Sequence, residues 1–260
     1  MKKHRPSKFS VIFIITAGII TAVALFYVQK NYPDISVTDK KMDIKPPVAT
    51  TTPVTKPKPG QTPPPAPKPT SINLPIPFTS QAPTANWDQL HNEACEEASA
   101  IMANAYLTGD KDVVIPAKNV EAQIASLTQW QDKSFGYHLD TTAEETAEMI
   151  SGYYGLKATI VEDYTLQNIK DALNNHSVVI LPVNGRLIGN PNYKQPGPIY
   201  HMLVVRGYTS ADGLITNDSG TRLGQNYPYT FNTLYNAAAD WDHSANTITS
   251  ANKIMIVVSK

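Results

Sequence analysis

The chain holds a single thiol, Cys95, in 260 residues. With no second cysteine, no disulfide forms within the chain, and the cysteine frameworks that staple small secreted domains are excluded. C-x-x-C and H-x-x-x-H are missing too, and those close ligand pairs are what zinc sites are usually built from. His91, Glu93 and Cys95 sit together in "HNEAC", but no second pair completes them. A nucleotide-binding motif and an internal repeat are likewise missing. No metal or other cofactor is expected.

Net charge is also lacking, at zero overall, yet it is unevenly spread. Residues 1–70 carry eleven Lys and Arg against three Asp, a net of +8. Residues 71–260 carry the other eleven basic residues against nineteen acids, a net of −8. The acidic part has no basic stripe, and phosphates would repel it, so nucleic acid is not an expected partner. Its 190 residues suffice for one hydrophobic core.

The segment Phe9–Val28 has no charged residue and follows a flank with four Lys and Arg at positions 1–8. Twenty helical residues rise about 30 Å, enough to cross a bilayer core. The basic flank keeps the N-terminus in the cytoplasm and sends the rest outside. The alternative is a cleaved signal peptide, with Ala22-Val23-Ala24 as the cleavage pattern. The chain is expected either on the outer face of the cell membrane or, after cleavage, secreted. Residues 29–70 are rich in Pro, Thr and Lys, cannot bury enough apolar area to fold, and read as an extended spacer. A spacer of this kind also suits a tether that reaches into a cell wall.

From Ser71 the composition is globular. "INLPIPFTSQAP" reads as an extended opening strand broken by prolines. Cys95, Ala98, Ile101, Met102, Ala105 and Tyr106 recur at helical spacing, with Glu96 and Glu97 in a first turn, which puts Cys95 at a helix N-terminus. "NVEAQIASLTQW" and "TTAEETAEMISGYYG" predict two more helices, the second with a capping box and a Gly155 stop. "KATIVED" reads as a strand, "TLQNIKDALNN" as a helix, and "SVVILPV", "YHMLVVRGYT", "GLITND" and "KIMIVVS" as strands. "YTFNTLYNAAADW" reads as helical. Helices first and strands after predict an α+β architecture with antiparallel pairing.

A lone cysteine is ordinarily a small core residue. At a helix N-terminus, however, the exposed N–H groups favour thiolate, while Glu96 and Glu97 oppose it. A reactive thiolate needs a cation nearby, and an imidazolium is the usual one. Of the histidines, His201 opens an apolar strand, and Asp218 stands seventeen residues later at the end of the next strand. Paired antiparallel strands would set the two side by side, with Asp218, or alternatively Asn217, fixing the imidazole tautomer.

The order of Cys at a helix start, His at a strand start and Asp or Asn soon after resembles the papain-like clan of cysteine peptidases. "LPIPFTSQAP", "ACEEASAIMA" and "YHMLVVRGYTSADGLITNDSGT" are similar to its bacteriocin-leader-processing, C39-like branch, over nearly all of residues 72–259. The resemblance implies a papain-like fold and a peptide or protein substrate. It implies Cys95 as nucleophile, His201 as general base and acid, and Asp218 as the orienting residue. The family also has a Gln ahead of the Cys that donates to the oxyanion; Gln81 in "PFTSQ" is the first candidate and Gln89, six residues before Cys95, the second. Transporter-linked members carry Cys-Gly, whereas this chain has Cys95-Glu96, so a double-glycine leader is not implied as its substrate.

Two other activities fit the same fold: a thiol amidase cutting peptidoglycan cross-peptides, and a surface binding module without catalysis. Glu144, Glu145 and Glu148 read as a solvated helix face rather than a glycosidase pair. Trp87, Trp130 and Trp241 read as packing residues. The Gly/Pro/Asn-rich segment 184–199 reads either as a surface connection or as a wall of the cleft.

Overall fold

The computed structural model describes residues 69–260. The apolar segment Phe9–Val28 and nearly all of the Pro-rich spacer lie outside the described residues. Among the described residues, no helix is long and apolar enough to cross a membrane.

The opening segment is less regular than its residues suggest. Strand β1 is only Ile72–Asn73, because three prolines follow it and proline cannot donate to a ladder. Helix α1 (Gln89–Asn92) comes next, then α2 (Cys95–Thr108), α3 (Ala117–Ser134) and α4 (Ala143–Tyr154). Helix α4 begins with a complete capping box between Thr142 and Glu145 and stops at left-handed Gly155, as the spacing predicts. Strand β2 (Lys157–Val161), α5 (Leu166–Asn174), β3 (Val178–Val183), β4 (His201–Tyr208) and β5 (Gly213–Asn217) follow in the predicted order. The next stretch departs from expectation. "YTFNTLYNAAADW" begins inside β6 (Tyr227–Thr230), is helical only as α6 (Phe231–Ala237), and ends in β7 (Asp240–Asp242), which pairs with β8 (Thr247–Thr249). Thr230 caps α6 through its side chain, so the strand-to-helix switch falls there. Strand β9 (Met255–Ser259) closes the chain.

The main sheet is antiparallel, in the order β2-β9-β3-β4-β5-β6, with β1 pairing β4 beside a bulge at Gly207. Gly207 has no alternative there, since a Cβ would come within 2.3 Å of the Ile72 carbonyl oxygen. Strands β3 and β4 are buried at every residue, so they form the centre of the core. Helix α2 packs on β4 and is itself buried almost all round, with Ala98, Ala100, Ala103 and Ala105 allowing close approach. Its sequence shows one apolar face, but the fold also covers Glu96, Glu97 and Ser99.

Candidate active site

Three features bring the site together. Helix α2 begins at Cys95, with Ala94 as a cap that makes no side-chain hydrogen bond. Ala94 therefore offers no side chain to the first turn, where the N–H groups of Glu96 and Glu97 meet their own buried carboxylates. Strand β4 begins at His201, and its antiparallel pairing with β5 sets Val204 opposite Asn217. Asp218 follows directly, and its Oδ1 accepts from His201 Nε2 at 3.0 Å. Both side chains are buried, at 1% and 0% exposure.

Asn217 points elsewhere. Its amide donates to the carbonyls of Ile76 and Pro77, and its oxygen accepts from Arg206, which bolts the opening segment onto the sheet. Of the two, Asp218 alone makes the contact to His201.

Cys95 is 4% exposed, and its sulfur accepts the backbone N–H of Met202, the residue after His201, at 3.3 Å. The thiol donates to Glu96 Oε2 at 3.1 Å, so its side-chain hydrogen bond goes to the acid beside it and not to the imidazole. Burial, then the Glu96 charge and hydrogen bond, pushes the thiol well above its ordinary range, against a smaller lowering by the Met202 N–H. The helix N-terminus, expected to favour thiolate, is outweighed because the sulfur and its acidic neighbour are both out of water. Glu96 is itself raised well above the usual carboxylate range by burial and by Glu97. Glu97 is lifted to about 7, chiefly by burial, although Gln131 donates to it.

The two glutamines are separated. Gln89 is exposed on α1. Gln81 is buried against the Asp218 turn: its N–H donates to Ser219 O, and its Oε1 accepts from Ser219 Oγ. Its amide donates to the carbonyls of His91 and Asn92, at 2.9 and 3.0 Å, which uses both amide hydrogens. His91 is turned from the thiol toward Asp88 and Glu121, at 2.7 and 2.8 Å; these bonds outweigh its burial and raise its pKa. Glu144 and Glu148 are exposed, while Glu145 serves the capping box. Trp130 packs over Gly152, Trp241 lies beside Tyr200, and Trp87 is exposed.

Asp218 draws in residues that the sequence reading does not single out. Tyr193 and Asn190, from the segment 184–199, and Tyr229 of β6 all donate to its carboxylate. No short motif links them to Asp218; only the "Gly/Pro/Asn loop" reading touches two of them. Burial works to raise the Asp218 pKa, yet hydrogen bonds from His201, Tyr229 and Tyr193 prevail and hold it at about 2. The turn beyond needs glycine. A Cβ at Gly224 would lie 1.8 Å from the Asp218 carbonyl oxygen. The Gly224→Ala variant is therefore expected to lose about 2 kcal/mol in chemical denaturation, since the Asp218 backbone must move to admit it; an unchanged midpoint would contradict that packing.

The Peptidase_C39 like family matches residues 73–248 of the chain. A search of curated proteins finds no match. Among solved structures, the crystal structure of a protein from Bacillus anthracis, assigned as a C39-like peptidase, aligns with a TM-score of 0.47 at 12% identity. That alignment spans 73% of this chain and 98% of the other.

Proposed function

The chain belongs to the Peptidase_C39 like family, a family of cysteine peptidases, and on that premise we propose that it hydrolyses peptide bonds with Cys95, His201 and Asp218. One observation carries this reading. The Cys95 sulfur touches the backbone of the residue after His201, while the His201 ring gives Nε2 to a buried carboxylate, and Nδ1 is the nitrogen this proposal assigns to the thiol.

In the reaction, His201 takes the thiol proton and the thiolate attacks the substrate carbonyl. The Cys95 backbone N–H at the start of α2 donates to the oxyanion that develops. Gln81 joins that N–H by exchanging one of its two carbonyl partners for the oxyanion. The imidazolium then protonates the leaving amine, and His201 activates water to release the acid from the thioester. Glu96 must yield the thiol for the first step, so substrate binding displaces its contact with the sulfur. In the same proposal the segment Phe9–Val28 holds the domain on the outer face of a membrane, and residues 29–70 space it from the surface.

The thiol's bond to Glu96 also favours a second reading, a binding module in which Cys95 is inert. Incubating the full chain with a pool of peptides, followed by mass spectrometry of the products, separates the two. New peptide termini are expected with the wild type, and only at a small residual rate with Cys95→Ala. No cleavage, together with a native thiol that a peptidyl electrophile fails to label, would establish the module.

A further inference from the structure

The Asp218 carboxylate is saturated. Its Oδ1 accepts from His201 Nε2 at 3.0 Å, Gly220 N at 3.1 Å and Tyr193 OH at 2.7 Å. Its Oδ2 accepts from Tyr229 OH at 2.7 Å and Asn190 Nδ2 at 2.9 Å, with Tyr193 OH also at 2.8 Å. The two phenols make the shortest of these contacts, shorter than that of the imidazole.

We propose that Tyr193 and Asn190 of the segment 184–199, together with Tyr229, are positioning residues: they fix the Asp218 carboxylate so that it orients His201 without drawing the imidazole proton away. This deepens the hydrolase reading and rests on it. Hydrogen bonds to an ionised acceptor are strong, and a carboxylate that already accepts two phenolic protons is a weaker base toward a third donor. The proton therefore stays on His201 Nε2, which leaves Nδ1 as the acceptor for the thiol.

Packing acts in the same direction. The Tyr193 ring meets the His201 ring edge-on, with centroids 5.6 Å apart and planes at 76°. Gly220 leaves room for this, since a Cβ there would come within 2.8 Å of the Tyr193 ring and 3.1 Å of the His201 ring. The segment bearing these donors is tied at both ends. Asn184 N donates to Ala237 O at 2.7 Å, Arg186 Nε donates to Gly197 O at 3.2 Å, and Pro198 closes over Gly185. Asn190 uses all of its amide: it donates to Asp218 and Tyr229, and its oxygen accepts from the backbone and side chain of Asn192. The segment 184–199 is thus part of the catalytic unit and not only a connection between strands.

The test uses the full chain with carbon-13 in its aspartates. In Tyr193→Phe and Tyr229→Phe, which keep the ring and lose one oxygen, the Asp218 carboxyl is expected to titrate about one pH unit higher than in the wild type. In both variants kcat falls about tenfold with KM nearly unchanged. Asn190→Asp sets a second carboxylate beside the first, so the two share one proton. Below their upper titration the pair carries one charge, as the Asp218 carboxylate alone does in the wild type. Above it two charges face each other and activity falls, a limb the wild type lacks. A variant that changes only fold stability would move neither the Asp218 titration nor the split between kcat and KM. An active wild type whose Tyr→Phe variants keep both the titration and kcat overturns this proposal alone. A wild type that cleaves nothing overturns the hydrolase reading and the catalytic role of the network together.

Discussion

Replacing His201 with alanine is expected to lower kcat/KM for peptide hydrolysis by about a thousandfold. The imidazole serves twice in the proposed cycle, first as the base for the thiol and then as the acid for the leaving amine. General acid–base catalysis contributes roughly a hundred- to ten-thousandfold, so loss of both roles falls within that span. The buried thiol is pushed upward by its surroundings, and its side-chain hydrogen bond goes to Glu96, itself raised by burial, so loss of the imidazole leaves no ready base. The sharper form of the expectation concerns the double variant. Residues that act as one unit lose activity once and not twice. Cys95→Ala combined with His201→Ala should therefore be no slower than Cys95→Ala alone. Initial rates on a defined peptide, followed by chromatography, give the comparison. If the two losses simply multiply, ring and sulfur act independently and the dyad is disproved.

Glu96→Gln is expected to raise the rate at which iodoacetamide alkylates Cys95, by about tenfold at alkaline pH. The sign follows from the contact. Glu96 Oε2 accepts the thiol proton at 3.1 Å, and its charge opposes the thiolate. Glutamine keeps the shape and removes that charge. A lower thiol pKa gives more thiolate, while the lower basicity takes back part of that gain in nucleophilicity. The effect depends on pH in a definite direction. The Glu96 pKa is raised by burial and by Glu97, so at low pH the wild type also holds a neutral group there. Wild type and variant then react alike. As pH rises through the Glu96 titration, the wild-type acid ionises and the curves separate, with the variant faster. A rate ratio that stays flat with pH, or a slower variant, would remove Glu96 as the group that restrains the thiol.

Much of this site is legible in the chain. The Thr142–Glu145 capping box, the Gly155 stop and the helix that starts at Cys95 all follow from local spacing, because caps and periodicity depend on residues only a turn apart. His201 and Asp218 are legible for a related reason: they sit at the ends of strands that follow one another and pair as neighbours. Other features escape. "YTFNTLYNAAADW" reads as one helix, since its apolar residues fit that period, yet the Thr230 cap and pairing with β5 divide it. The choice between Gln81 and Gln89 rests on sequence context that supports both, whereas burial against Ser219 distinguishes them.

By itself the sequence determined the types and order of the main elements, the single thiol, and the acid–imidazole spacing. These are local properties, written in periodicity, caps and composition. The tertiary structure alone decided that β9 lies between β2 and β3, that Glu96 is buried against the sulfur, and that Tyr193, Asn190 and Tyr229 converge on one carboxylate. Those facts depend on which distant segments share a neighbour and on how completely they exclude water. Loss of solvent turns an ordinary surface glutamate into a group that governs a thiol, and no window of adjacent residues carries that information.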